Sequence, residues 1–538
     1  MKRYLYIIVA LAATAFMASC LDENPKDQMD EEQAYDTPQN VYINAVATLY
    51  NYIGSSEECQ GLQGTCRGVY DYNTFTTDEA IIPIRGGDWY DGGLWDNMYA
   101  HKWNANDISL YNTWLYLYKV VVLANKSIGV INSHASILSE QQRSSYEAEV
   151  RAVRAMFYYY IMDMFGRVPL VTAADATLAD CVQSERSRTF RFVFDELQAV
   201  APLLPEGRSN QPGDNYGRMT QAVAYFLLAK LALNAEVYSD DDWTDGTRTL
   251  GRDIYFDVDG QRLNAWQTCV AYCDKLADMG YSLEEDYAYN FSVHNENSQE
   301  NIFTIPADKN IYAAQFHYLF RSRHYNHGMA VGTLSENGPC ATISTMNAYG
   351  YGTSHPDARL EKNFYTGKVV VDGKDVMLDN GEPLVYMPLA VERNLTNSPY
   401  IQTAGARMAK YEVDRTAYID GKLQDNDIVL FRYADALLMK AEAKVRGGED
   451  GSAELNAVRS RVGMPALPAT LDNILRERLL ELVWEGWRRQ DLVRFGLFTS
   501  SYDLREPIDE EETGFTTVFP IPQKSLDLNR QLQQNKGY

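Results

Sequence analysis

The sequence predicts a mainly α fold, built from tetratricopeptide-like helix pairs that carry long loops and small β-hairpins or sheets. Three observations point there. Apolar residues recur at steps of three and four along several long segments, which is the helical period. Small residues such as Ala434, Ala441 and Ala443 lie on those faces and allow helices to approach closely. Two long stretches without period, Gly54–Lys102 and Tyr281–Asp427, separate the helical blocks. No clean 34-residue repeat is present, so stacked hairpins of irregular spacing fit better than a regular solenoid.

At the N-terminus, Lys2 and Arg3 precede an apolar run, Tyr4 to Phe16, that is too short to span a bilayer. This is the pattern of a secretory signal. The run ends in Met17-Ala18-Ser19-Cys20, which resembles a bacterial lipobox with Cys20 acylated as the mature first residue. Ordinary cleavage after Ser19, leaving a free thiol, is the alternative. No later stretch is both apolar and charge-free over a membrane's width, so the expected attachment is a lipid anchor. Asp22, Glu23, Asp30, Glu31 and Glu32 follow as a solvated acidic tether.

Helices are expected at Asn40–Ile53, Ile108–Ile131 and through Val150, Val153, Phe157, Tyr160 and Met164, where Gly166 and Pro169 stop the pattern. Others are expected at Phe190–Leu204, through Leu227, Leu231, Ala235 and Tyr238, and at Ala265–Met279. The series continues through Phe431, Ala434, Leu438, Ala441 and Val445, stopped by Gly447 and Gly448. Ser452–Val462 and Leu471–Phe495 complete it. The aperiodic stretches are rich in Gly, Asn, Tyr and Asp and offer only short strand-like pieces such as Lys368–Val371. Loops of that length are usually functional, so the site is sought there.

The chain has 538 residues, which at about 150 per domain admits one large domain or several small ones. Hydrophobic residues make up 46% and charged residues 23%, a globular rather than disordered balance. Loss of residues 1–19 removes two positive charges and takes the formal net charge from −24 to −26. So acidic a chain is unsuited to nucleic acid, whose phosphates call for a basic surface. Cys59 and Cys66 lie in a Gly-rich loop and can pair in an oxidising compartment. Cys269 and Cys273, four apart on a helix, read as buried small hydrophobes. No Cys/His cluster has zinc spacing, and His324 and His327 lack partners of the right type. Asp240, Asp241, Asp242 and Asp245, or Asp257 and Asp259, can offer oxygens to calcium. The EF-hand spacing is missing, and a solvated acidic loop is the preferred reading, so no cofactor is expected.

The C-terminal third carries distinctive runs: Phe431–Ala443 (FRYADALLMKAEA), Leu455–Gly463 (LNAVRSRVG), Arg476–Phe495 (RERLLELVWEGWRRQDLVRF), Phe519–Pro522 (FPIP) and Gln534–Tyr538 (QNKGY). The N-terminal half adds Thr77–Ala80 (TDEA) and Glu149–Ala155 (EVRAVRA) leading to Phe165 and Gly166. Together these resemble the SusD/RagB family of surface nutrient-binding lipoproteins, over essentially the whole mature chain. The resemblance implies a signal peptide at 1–19 and one domain at 20–538, with parts at about 20–220 and 285–538 forming a single body. It implies four tetratricopeptide-like helix pairs, a glycan site made by loops, and a SusC-like TonB-dependent transporter as partner. In Bacteroidetes lipoproteins an acidic stretch beside the acylated cysteine resembles a surface-export signal, which implies the outer face of the outer membrane.

Glu477, Glu481 and Glu485 are four apart and so fall on one helical face. Like charges in such a row need cations, with Arg478, Arg488, Arg489, Arg459, Arg461 and Arg432 as candidates. Paired carboxylates about 5–9 Å apart also serve glycosidases. An amphipathic scaffold helix is the wrong setting for that, and Glu477, Glu481, Glu485, Arg488 and Asp491 are read as a structural ion-pair network.

The segment Arg85 to Trp95 is the expected ligand contact. Sugars present C–H groups on one face and hydroxyls at the rim, which rings and polar side chains match respectively. Trp89, Tyr90 and Trp95 can supply the platform, and Arg85 and Asp88 the polar partners; His101 and Trp103 lie just beyond. In relatives a later region completes the arc, which implicates Tyr318 and Tyr325. The competing reading is that these rings pin a loop to the body or pack inside a small sheet. Binding without chemistry is the functional expectation, with peptide capture as in RagB-like members, or glycoside hydrolysis, as alternatives.

Overall fold

The computed structural model describes residues 34–312 and 321–538. It is 44% helical, with a few small strand pairs, as expected. The first helical stretch, Pro38–Tyr50, opens on Thr37, whose side chain accepts the Asn40 amide, and is π-helical over Tyr42–Ala47. Beyond it, α1 (Ile108–Ser133) packs on α2 (Glu140–Phe165), and α2 on α3 (Arg186–Val200). α1 is long and apolar enough to cross a membrane, but it carries Lys119 and Lys126 and half of its most apolar window is buried within the protein. Helix α2 begins in a capping box between Ser139 and Gln142. It ends at Gly166, whose φ of 67° places a left-handed residue where a Cβ would lie 2.7 Å from Trp243.

α4 (Gln221–Leu233) is apolar on all sides and pairs with α5 (Ala265–Asp278), which in turn meets α6 (Tyr433–Arg446). α7 (Ser452–Arg461), α8 (Leu471–Leu482) and α9 (Arg488–Arg494) close the C-terminal block. The strands are short: β1 (Ala80–Ile81), β2 (Tyr255–Val258), β3 (Gln261–Asn264), β4 (Asn301–Ile305), β5 (Cys340–Ala341) and β6 (Ile428–Arg432) belong to antiparallel pairs β1–β5, β2–β3 and β4–β6. Two further pieces, Gly367–Lys368 and Val370–Val371, fall on the predicted strand. Phe431 lies in β6 rather than in the expected helix, stacked on Phe226 at 4.6 Å. One continuous apolar core runs from Val41 to Leu532.

The expected helix Leu471–Phe495 is broken in two. Trp484 takes a φ of 66° and Gly486 one of 75°, and neither fits an α-helix. The backbone groups freed there are taken up by distant side chains. Glu79 accepts the Trp484 amide at 2.8 Å, Gln63 donates to the Glu485 carbonyl at 2.8 Å, and Lys410 donates to the Val483 carbonyl at 2.8 Å. A Cβ on Gly486 would press on the Tyr70 ring at 3.1 Å. Glu485 therefore sits past the end of α8, not on one helical face with Glu477 and Glu481.

All three carboxylates are nevertheless ion-paired. Glu477 meets Arg359 at 2.7 Å and Arg459 at 2.6 Å. Glu481 meets Arg359 at 2.7 Å, Arg432 at 2.6 Å and Arg461. Glu485 meets Lys410 at 2.5 Å and Arg432 at 2.8 Å. Arg432 also reaches Glu300 at 2.7 Å. Arg488 pairs with Asp78 and Asp491 with Arg478 and Arg494, so these two extend the network around the break rather than neutralising the glutamates. Burial raises the proton affinity of Glu481, but the charges of Arg461, Arg432 and Arg359 outweigh it and hold the carboxyl well below its usual range.

Arg432→Gln leaves Glu481 and Glu485 under-neutralised in a dry interior and should cost about 3–5 kcal/mol, read as a lowered urea midpoint. Glu79 differs in sign. Desolvation by full burial lifts its carboxyl to about 8 despite the Trp484 amide and nearby Arg488 and Lys410. The native state thus keeps a proton that the unfolded chain releases, and stability falls as pH rises from the ordinary glutamate range to about 8. Glu79→Gln should flatten that slope when urea midpoints are compared at several pH values across the window.

Candidate functional site

A cleft of about 310 Å³ opens between the loop Gly54–Arg67, the segment Asp88–Trp95, the stretch from Arg321 to Glu336, and Lys422. Its first wall is set by backbone geometry. Arg85 and Asp88 exchange both main-chain hydrogen bonds (3.0 and 3.2 Å) across a tight turn that Gly86 permits with a φ of 71°. Trp89 and Asp91 also take positive φ, and the chain then winds through Gly92 and Gly93 into a short helix, Leu94–Tyr99.

This winding turns Trp89 to the cleft. Its indole Nε1 donates to the Glu336 carbonyl at 2.9 Å, and the ring lies so close to Gly338 that a Cβ there would come within 2.4 Å. Trp95 lies behind it, 1% exposed, with ring centroids 5.9 Å apart and a 59° tilt. The Arg321 guanidinium sits 5.2 Å from the Trp89 ring and 5.0 Å from that of Trp95. Asp91 accepts the Trp95 indole N–H at 2.7 Å and one N–H of Arg67 at 3.1 Å, while Arg67 clasps both oxygens of Glu58 at 2.6 Å. Burial opposes the charge on Arg67, but Glu58 and Asp91 hold the guanidinium protonated.

At the opposite rim Tyr325, the first residue of the short helix Tyr325–Val331, donates its hydroxyl to Asp88 at 2.6 Å. Partial burial and that bond both raise the phenol's pKa. The Glu336 carboxylate makes no hydrogen bond or ion pair among the described residues, and desolvation raises its pKa. It is the cleft's open acceptor.

Asp88, Trp89 and Tyr325 are thus brought together, with Trp95 as the buried backing rather than an exposed platform. Arg85 is withdrawn from the site: its guanidinium is 4% exposed and donates to the carbonyls of Ile401 (2.7 Å) and Ala404 (2.8 Å). Burial first, and Arg407 after it, lower its pKa to about 9. Tyr90 is exposed and outside the cleft lining. His101 and Trp103 are buried, the first against Glu511 and the second donating to Tyr538, and they tie the loop to the body. Tyr318 and Cys20 lie outside the described residues. Asp91, within the expected segment, also lines the cleft, and Glu58, Arg67, Arg321, Glu336 and Lys422 line it without having been expected there.

Cys59 and Cys66 are free thiols, donating to the Arg67 carbonyl (3.0 Å) and to Glu58 (3.4 Å). Asp240, Asp241, Asp242 and Asp245 do not converge. They serve the Asp242 amide, Ser187, Lys536 and the Thr247 amide in turn. Among the described residues no group of three His, Cys, Asp or Glu side chains is placed to hold a metal.

Residues 259–538 match the model of the SusD family, and residues 24–233 match one described as starch-binding associating with outer membrane. The chain belongs to the SusD family. It is 34% identical, across 99% of its length and 98% of the relative's, to a SusD-like protein P38 of Formosa agariphila. It is 23% identical to the starch-binding protein SusD of Bacteroides thetaiotaomicron, over 89% and 87% of the two chains. Among solved structures it is similar to surface glycan-binding protein A of B. thetaiotaomicron in complex with laminarihexaose, with a TM-score of 0.70, 21% identity, and 93% and 99% of the chains covered. A SusD homologue from the same organism gives a TM-score of 0.72 at 19% identity, over 95% and 99%.

Gly338→Ala forces a methyl into the Trp89 indole and should destabilise the protein by about 1–3 kcal/mol, seen as a lower melting temperature.

Proposed function

We propose that this protein captures an oligosaccharide at the bacterial surface, without altering it, and passes it to a SusC-like TonB-dependent outer-membrane transporter. One observation carries the reading: the fixed Trp89 ring lines the same cleft as Asp88, Tyr325 and the open carboxylate of Glu336. An indole covers the C–H face of a sugar ring, and the acceptors around it take hydroxyl protons. The rim is already ordered, so a sugar meets little further ordering cost, and modest contacts suit capture followed by release. A relative named for starch binding and a structural neighbour solved with laminarihexaose support carbohydrate as the ligand class. Glu477, Glu481 and Glu485, the acids whose spacing raised the hydrolysis alternative, are all engaged by cations, which supports binding over catalysis.

In this reading Cys20 carries the lipid that holds the mature chain on the outer membrane, facing outward. The family model's association with the outer membrane supports the location.

Affinity electrophoresis through gels containing soluble starch, laminarin or other polysaccharides, with a peptide mixture titrated in parallel, tests the function. Retention by a polysaccharide without growth of reducing ends is expected. Trp89→Ala should then weaken binding at least tenfold, about 1.4 kcal/mol. Binding of peptides alone, or release of reducing ends, overturns the proposal.

A further inference from the structure

A second groove, of about 600 Å³, opens beside the first between the Pro38–Tyr50 helical stretch, the turn at Tyr216–Arg218 and the chain leaving β4. Four tyrosines line it: Tyr42, Tyr50, Tyr216 and Tyr312. Three have their hydroxyls tied inward. Tyr42 and Tyr50 donate to Glu149 at 3.3 and 2.8 Å, and Tyr216 lies 2.7 and 2.8 Å from the two oxygens of Asp427. Those rings are held in place, as a stacking surface requires. Tyr312 stands at the rim, 42% exposed.

Charge narrows the ligand. Arg218, the charged residue of the lining, is committed to Glu149 and to the Asp214 carbonyl, so it is not free to pair with a phosphate or carboxylate. Arg218 also lies 4.9 Å from the Tyr42 ring, so what remains for a ligand is the other rings and neutral polar groups such as the exposed Asn51, which makes no hydrogen bond among the described residues through its side chain. This is chemistry for a neutral polyhydroxylated ring.

Position narrows it further. Ser56 lines this groove and Glu58 lines the Trp89 cleft. Two residues of extended chain cover at most about 7 Å, so the two sites adjoin along the same loop.

We propose that the tyrosine groove is a second carbohydrate contact, receiving further units of the same oligosaccharide whose other end lies against Trp89. The inference rests on the carbohydrate reading above. A chain held at both places gains through effective concentration rather than through a new independent affinity, so the groove selects for length.

The test is calorimetric titration of size-graded oligomers, two to eight units long, from whichever polysaccharide retains the wild-type protein. Affinity should rise with length in the wild type. The exposed pair Tyr312→Ala and Asn51→Ala, which disturbs no internal hydrogen bond among the described residues, should remove at least fivefold of that gain. It should leave the shortest oligomers unaffected, whereas Trp89→Ala weakens every length. A double variant with the wild-type length dependence overturns the second contact and leaves the cleft standing. Insensitivity to Trp89→Ala at all lengths sinks the cleft instead, and retention by no polysaccharide sinks both.

Discussion

The constraint on which this structure turns is the neutralisation of buried carboxylates at the end of α8. Glu481 is fully buried and accepts from three arginines drawn from far apart in the chain, Arg359, Arg432 and Arg461. Taking that many charges out of water is expensive, and their mutual attraction roughly offsets the cost rather than exceeding it. What such a cluster supplies is selection among arrangements: a fold that misplaces one arginine strands a glutamate in a dry interior. Segments that apolar packing alone would place loosely, such as the stretch around Arg359 and strand β6, are fixed by this requirement.

The same place positions the cleft. Because α8 stops at Leu482, the backbone of Trp484 and Glu485 must find partners elsewhere, and it finds them on the early chain in Glu79, Gln63 and Tyr70. Gln63 belongs to the Gly54–Arg67 loop, and Tyr70 to the short helix Val69–Thr74 that follows it. In that helix Asp71 accepts the Arg67 amide at 2.6 Å and pairs with Arg321 at 3.4 Å. A continuous set of polar contacts therefore leads from the broken helix to the guanidinium between Trp89 and Trp95.

Helical segments were legible in the sequence wherever an apolar face was sustained, as in α1 and α2, because periodicity reports burial directly. The break at Trp484 was not, since Val483 and Trp487 preserve a plausible apolar spacing. Gly486 was the one local sign, and the decisive partners are some 400 positions away. The Gly-rich, ring-rich run from Arg85 falls along the cleft wall. It could not say which side chains face out: Trp89 and Trp95 read alike, yet one lines the opening and the other backs it. Arg85 looked like a sugar ligand because nothing local reveals the Ile401 and Ala404 carbonyls that bind it. Arg321, Glu336 and Lys422 reach the cleft only through tertiary contact, beyond what spacing can show.

The asymmetry between Trp89 and its neighbours explains how a strongly acidic protein can offer a binding surface without a dominant charge. Glu58 and Asp91 are answered by Arg67, and Asp88 is hydrogen-bonded by Tyr325. With these groups already partnered, Glu336 is left as the open carboxylate, and the cleft presents mainly a fixed ring edged by acceptors. Trp89 is held by a hydrogen bond at one end and by the bare backbone of Gly338 beneath it, so its pose exists before any ligand arrives. A preset ring keeps the entropic cost of binding low. A neutral sugar forms no charge–charge pair there, which keeps the gain modest. The first effect favours association and the second limits residence time, a balance suited to the capture and release proposed above.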